Sequence, residues 1–290
     1  MQKQEIEKQP NKLRIAALTI LAMVAFAGNS LLCRAALKQT EIDAASFTSI
    51  RLLSGVIILW LLVSLRRSRT SEDGQGNWLS AIALFIYAAG FSYAYISLET
   101  GAGALLLFGA VQATMIGYGF YKGERLNKLQ SIGLILAFAG IIGLMLPGLS
   151  APPLIGSVVM LTAGIAWGIY SIRGKGAGDP TLISAGNFLR TIPFVAILTA
   201  VTLNSQSLDT AGIWYAVASG ALASGLGYAI WYSVLPSLKS TTASTVQLSV
   251  PVIAAIAGIV FLSEPLTMRF ALASIALLGG IALVILEKKT

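Results

Sequence analysis

SVPVIAAIAGIVFLSEPLT, residues Ser249 to Thr267, is an apolar run that stops abruptly at a glutamate and a proline. A second stretch, GAVQATMIGYGFYKGERLN from Gly109 to Asn127, has the same length, the same apolar character and a glutamate in the same place. The two acids, Glu124 and Glu264, lie 140 residues apart. Sliding the chain on itself by that distance aligns Ser97–Leu146 with Ser237–Leu286 without a gap, and nine of fifty positions are identical. Apolar composition alone supplies much of that identity. The gapless register and the Glu-x-Leu shared between runs are more informative. The start of each half also pairs, at an offset of 141: Ala25-Phe26 with Ala166-Trp167, and Ser30 with Ser171. The chain therefore reads as a repeat.

Outward from these stretches the apolar runs continue. Of 290 residues, 56% are hydrophobic and 11% charged, against about 25% charged in soluble domains. A helix of about 20 apolar residues crosses a hydrocarbon core of about 30 Å. Ten such spans can be marked: Leu13–Cys33, Ala44–Ser64, Trp78–Ser97, Gly101–Tyr121 and Ser131–Leu149, then Leu154–Arg173, Thr181–Val201, Ala211–Leu235, Thr241–Phe261 and Arg269–Leu286. The expected fold class is an all-α membrane protein of ten transmembrane helices. Residues 1–12 form a polar tail, 13–149 the first five-helix repeat and 154–286 the second. The first run is too long for a signal peptide, and no small-residue cleavage site follows it.

The net charge of +8 reports orientation, not a nucleic-acid partner. If the N-terminus is cytoplasmic, fifteen of the twenty basic residues fall on the cytoplasmic side, and only Arg34, Lys38 and Arg269 on the other. By the positive-inside rule both termini are expected in the cytoplasm of a multi-pass protein of the cell membrane. Five spans is an odd number, so the second repeat enters the membrane from the side opposite to the first. The halves are inverted, an architecture shared by many secondary transporters that rock one half against its mate around a midplane site.

Pro251 in the middle of the ninth span, Glu264-Pro265-Leu266 after it, and the echo Glu124-Arg125-Leu126 resemble the EamA family of the drug/metabolite transporter superfamily. With ten spans in two repeats, the resemblance covers Leu13 to Leu286. One departure is Val111, standing where Pro251 stands in the other repeat; the fourth span is expected to lack the bend of the ninth. The resemblance implies export or facilitated passage of small polar metabolites, often amino acids, with solute and membrane lipid as partners.

Glu124 and Glu264 fall at the water interface, where a carboxylate suits the exposed amides of a starting helix. A structural cap is the first reading of each and a gating role the second. Proline in mid-span removes a backbone hydrogen bond, tolerated best where a cavity or neighbour satisfies the freed carbonyl; Pro251 and Pro193 both qualify, and Pro251, beside Gln247 and Ser249, reads as a cavity-lining bend. Candidate solute-binding residues near mid-span are Asn29, Gln112, Trp167, Tyr170, Trp231 and Gln247, with Tyr87 and Phe91 beside them. Packing between helices is the plain alternative for each. Arg51 lies about 10 Å from the outer end of its span and Arg190 about 14 Å from the cytoplasmic end of its own. Each either ties backbone carbonyls together or offers a forked donor to a carboxylate or phosphate.

No histidine occurs, and the single Cys33 excludes an intramolecular disulfide and a cysteine metal site. None of the twelve acids falls in the middle third of a span, so no buried carboxylate relay is visible. Catalytic residues, metal and cofactor are expected to be absent, which disfavours an intramembrane enzyme. The leading expectation is a carrier that moves an amino-acid-like metabolite outward by alternating access. A nucleotide-sugar or phosphate-ester carrier and a non-transporting membrane scaffold are the alternatives.

Overall fold

The computed structural model describes residues 12–65, 76–123, 125–148, 150–174, 178–238 and 240–286, with backbone alone at 240, 241 and 244. Glu124 lies outside the described residues. Among the described residues ten helical spans are long and apolar enough to cross a membrane, in succession: Lys12–Gln39, Ala44–Leu65, Trp78–Tyr95, Thr100–Tyr121 and Lys128–Met145, then Leu154–Gly174, Pro180–Ser205, Thr210–Ser237, Thr245–Leu262 and Met268–Leu286. The first span runs a turn and a half beyond the sequence expectation.

These helices are apolar all round, and much of that surface faces outward: Ile155 is 81% exposed, Val201 80% and Ile275 71%. In water such a surface would aggregate; in a bilayer it meets its own solvent. Trp60, Trp78 and Trp214 are exposed near span ends, where indole rings suit the headgroup region. Short polar residues begin the spans. Asn77 accepts from Ser80 N at 2.9 Å, Asn127 and Gln130 form a capping box, and Asp209 accepts from Gly212 N at 3.0 Å. Each satisfies orphan amides at a helix start.

The packing follows a two-fold pattern. The third and fourth spans pack on the sixth, as the eighth and ninth pack on the first. The second packs on the seventh, the fourth on the ninth and the fifth on the tenth, each with its own pseudo-equivalent. An odd-numbered repeat related in this way is inverted. Close approach relies on small residues: a Cβ added at Gly164 would sit 2.6 Å from the Leu107 carbonyl oxygen, and one at Gly140 2.8 Å from Leu277 N.

Among the described residues the helix irregularities fall in the second half. The seventh span breaks into Pro180–Leu189 and Ile192–Thr202. Pro193 has no amide for the Leu189 carbonyl, and side chains cover neighbouring carbonyls instead: Arg190 donates to Gly186 O at 2.9 Å and Thr191 Oγ1 to Phe188 O at 2.6 Å. The eighth span contains a π-helical segment, Ala218–Leu226. The ninth is divided at Leu248 into Ser240–Gln247 and Ser249–Leu262. Pro251 lies three residues beyond that break, and its missing amide frees the Gln247 carbonyl. The fourth span, with Val111 in the equivalent place, is continuous.

Candidate functional site

A cavity of about 400 Å³ lies between the halves. Phe26 and Asn29 come from the first span, Tyr87 and Phe91 from the third, Trp167 from the sixth, Tyr228 and Trp231 from the eighth, and Gln247 from the bend of the ninth. The rings pack on one another. Trp167 has its centroid 4.7 Å from Tyr87, 5.1 Å from Tyr228 and 5.2 Å from Tyr170, on which it stacks. Phe26 meets Tyr228 edge-on at 5.8 Å. The wall is thus stiff and aromatic, with a few polar tips.

Its two ends differ. On the face where the first span begins and the tenth ends, here the terminal face, the lining runs out to Gly174, Gly178, Pro180 and Pro236 at helix ends, so the cavity reaches that face. Toward the opposite face it stops at Phe91, whose ring packs edge-on against the fully buried Tyr95 at 4.8 Å. Beyond lies a polar layer. Arg34 pairs with Glu264, Nε to Oε1 at 3.3 Å, and Arg34 Nη1 donates to the carbonyls of Tyr95 and Ile96 at 2.9 Å each. Glu264 Oε2 accepts from Thr100 N at 2.8 Å, and Lys38 Nζ donates to Leu262 O at 3.1 Å. The first, third, fourth and ninth spans are tied together there. Glu264 does cap a helix, the fourth rather than the tenth that follows it in sequence. Glu99 stands beside this layer. Burial first, and the Glu264 charge second, hold its carboxyl above the usual carboxylate range against Arg34 and Lys38.

At the deep end a hydrogen-bond chain crosses the two halves. Ser219 Oγ donates to Asn29 Oδ1 at 2.6 Å, Asn29 Nδ2 donates to Tyr87 Oη at 3.3 Å, and Arg51 Nη2 donates to the same oxygen at 3.0 Å. The π-helical segment makes the first link: a Cβ at Gly220 would collide with the Arg51 carbonyl oxygen, so the eighth span lies directly on the second and Ser219 reaches Asn29. Arg51 is 2% exposed. Its guanidinium carbon lies 4.8 Å from the Phe91 ring centroid and 5.2 Å from that of Tyr87, and its Nη1 is buried without a hydrogen-bond partner.

The sequence candidates therefore separate. Asn29, Tyr87, Phe91, Trp167, Trp231 and Gln247 line the cavity, and Arg51 stands behind Tyr87 and Phe91. Tyr170 backs the wall through Trp167, and its hydroxyl accepts from Asn187 Nδ2 at 3.5 Å. Gln112 is buried in the fourth span outside the lining. Arg190 is partly buried at the break of the seventh span, and neither it nor the exposed Pro193 contributes to the wall. Pro251 is buried in packing, and the lining residue at its bend is Gln247. Sequence reasoning missed Ser219, Tyr228 and Arg34. Among the described residues no three His, Cys, Asp or Glu side chains could hold a metal ion.

Comparison with known proteins agrees with this architecture. The EamA-like transporter family matches residues 13–146 and again 154–286. An uncharacterized protein of Pseudomonas aeruginosa is 56% identical over 272 residues, 94% of each chain. The threonine/homoserine exporter of Escherichia coli strain K12 is 26% identical over 274 residues, covering 90% of this chain and 88% of the exporter. A solved crystal structure covers 97% of this chain and is itself covered completely, with a TM-score of 0.67 at 16% identity; the fold is shared.

Proposed function

Since the chain belongs to the EamA-like transporter family, we propose that it is an alternating-access carrier that exports an amino-acid-like metabolite across the cytoplasmic membrane. The observation that carries this reading is the asymmetry of the cavity, which reaches the terminal face and is shut toward the other by Phe91, Tyr95 and the Arg34–Glu264 layer. The bias of basic residues favours a cytoplasmic terminal face, and in that orientation the cavity is in the loading state of an exporter. Release requires the outer layer to part while the terminal end closes. Inverted repeats supply that motion, because the units 13–149 and 154–286 can exchange conformations.

Solute contacts fall to Asn29, Tyr87, Trp167, Tyr228, Trp231 and Gln247, with Glu264 and Arg34 as the outer gate and the bend before Pro251 as a hinge. The exporter of threonine and homoserine among the relatives supports the solute class. Reconstituted into liposomes, the protein is expected to admit labelled L-threonine or L-homoserine faster than protein-free vesicles. Equal rates across a full panel of amino acids would overturn the solute class. For orientation, single cysteines at Glu124 and Glu264 in a Cys33→Ser background should react with impermeant thiol reagents from opposite sides.

A further inference from the structure

We propose that the deep end of the cavity is a carboxylate receptor, in which the Tyr87 hydroxyl is the contacting donor and Arg51 the buried charge that makes it a strong one. This rests on the carrier reading above and deepens it by naming the ionic class of the solute and the group that recognises it.

The direction of the hydrogen bonds carries the proposal. A tyrosine hydroxyl has one hydrogen to donate and two lone pairs. Both acceptor sites on Tyr87 are in use, one for Arg51 Nη2 and one for Asn29 Nδ2. The bond lengths agree with the Asn29 amide as it is placed: 2.6 Å to Ser219 Oγ suits an O–H···O bond, and the 3.3 Å contact to Tyr87 is the longer N–H···O one. Every donor in the chain thus points toward Tyr87, and its own hydrogen has no acceptor among the described residues. Since Tyr87 lines the cavity, the acceptor this hydrogen awaits is in the cavity. A donor polarised by a cation on its oxygen favours an anionic acceptor.

The charge balance agrees. Arg51 is 2% exposed, has no carboxylate partner among the described residues and leaves Nη1 unsatisfied. Two aromatic faces and one phenolic oxygen are all that offset its burial. A buried arginine inside a membrane is retained where a polar cavity or an anion uses it. Glu264, in the polar layer beyond Phe91, is already engaged by Arg34 and Thr100 N. The cavity floor is therefore positive and without a counter-ion until a solute supplies one. Arg190, in the seventh span, the counterpart of the second in the other repeat, is spent on the Gly186 carbonyl, so the receptor is built from one arginine and not from a symmetric pair.

The test is competition in proteoliposomes. Uptake of a labelled mixture of amino acids is challenged with L-threonine, L-phenylalanine and L-glutamate and, separately, with the amide made from the α-carboxyl of each. The free acid is expected to compete at a concentration at least about tenfold lower than its amide. Tyr87→Phe and Arg51→Gln should each reduce that ratio to between about one and three, and Arg51→Lys should leave it intermediate, because charge is kept and the fork is lost. A purely structural role would weaken acid and amide alike and leave the ratio unchanged. If a variant fails to accumulate, Ser219→Ala, which removes the far donor behind the wall, should lower the ratio about two- to fivefold. Equal competition by acid and amide in the unaltered protein overturns the receptor and leaves the carrier reading standing. Absence of any protein-dependent uptake overturns the carrier reading and the receptor with it.

Discussion

Glu264→Ala is the substitution that bears most directly on how the cavity is shut. In the closed layer the Glu264 carboxylate holds Arg34 through Oε1 and the Thr100 amide through Oε2, and its side chain is only 5% exposed. Removing one partner of a fully buried pair costs about 3–5 kcal/mol. Here Arg34 keeps two backbone carbonyls, so much of that penalty is avoided. Stranding the buried Thr100 amide costs a further part of the usual 1–3 kcal/mol for an orphaned donor. Together the closed state should lose about 2–4 kcal/mol, about 30-fold to several-hundred-fold in the equilibrium. A protein resting about 99:1 in favour of closure would move to about 3:1 or past parity. Ser30 lines the cavity, so Ser30→Cys in a Cys33→Ser background reports the opening by its rate of reaction with an impermeant thiol reagent from the side opposite the termini. That rate should rise at least tenfold in Glu264→Ala, and less in Glu264→Gln, whose amide oxygen can still accept from Thr100 N. An unchanged rate in a folded Glu264→Ala protein would refute the layer's role as the gate.

The raised carboxyl of Glu99 gives a pH dependence with a defined sign. The closed layer binds that proton more tightly than a hydrated carboxylate would, so closure is favoured as pH falls through the raised value and weakened above it, where two like charges face each other. Labelling of Ser30→Cys from the outer side, normalised to the thiolate fraction, should therefore slow on acidification, and Glu99→Gln should remove that residual pH response. Gly220→Ala forces a methyl into the Arg51 carbonyl and should lower thermal stability by about 1–3 kcal/mol, while also displacing Ser219 and reducing uptake; an unaltered melting temperature would mean the two spans are not in close contact. Arg190→Lys and Arg190→Gln should lower melting temperature to similar extents, because both disturb the cover on the Gly186 carbonyl, and should leave the acid-to-amide competition ratio as it was. A change in that ratio would return Arg190 to the solute site.

Helix number, the inverted repeat and the unbroken fourth span were all legible in the sequence, because each follows from a one-dimensional signal: run length, the parity of five, and valine or proline at one position. The side toward which a residue points was not. Apolar residues surround every span, so no amphipathic stripe marks the interior, and Arg51 and Arg190 looked alike although one stands behind the cavity wall and the other covers a break. Ser219 was hidden for a different reason. The stretch ASGALASGL reads as ordinary small-residue packing, and only its π-helical geometry brings the serine onto Asn29. Glu264 was legible as a cap, but which helix it caps depends on a contact with Thr100 across 164 residues of chain.

Counterflow tests the central claim most directly. Proteoliposomes preloaded with a concentrated unlabelled mixture of amino acids are diluted into a trace of the labelled mixture, and internal label is followed in time. A carrier whose central cavity opens to one side and then the other exchanges outgoing for incoming solute. Internal label should rise above its equilibrium level and then decay as the unlabelled pool drains. A monotonic rise to equilibrium without an overshoot, or entry no faster than in protein-free vesicles, would contradict alternating access through this cavity.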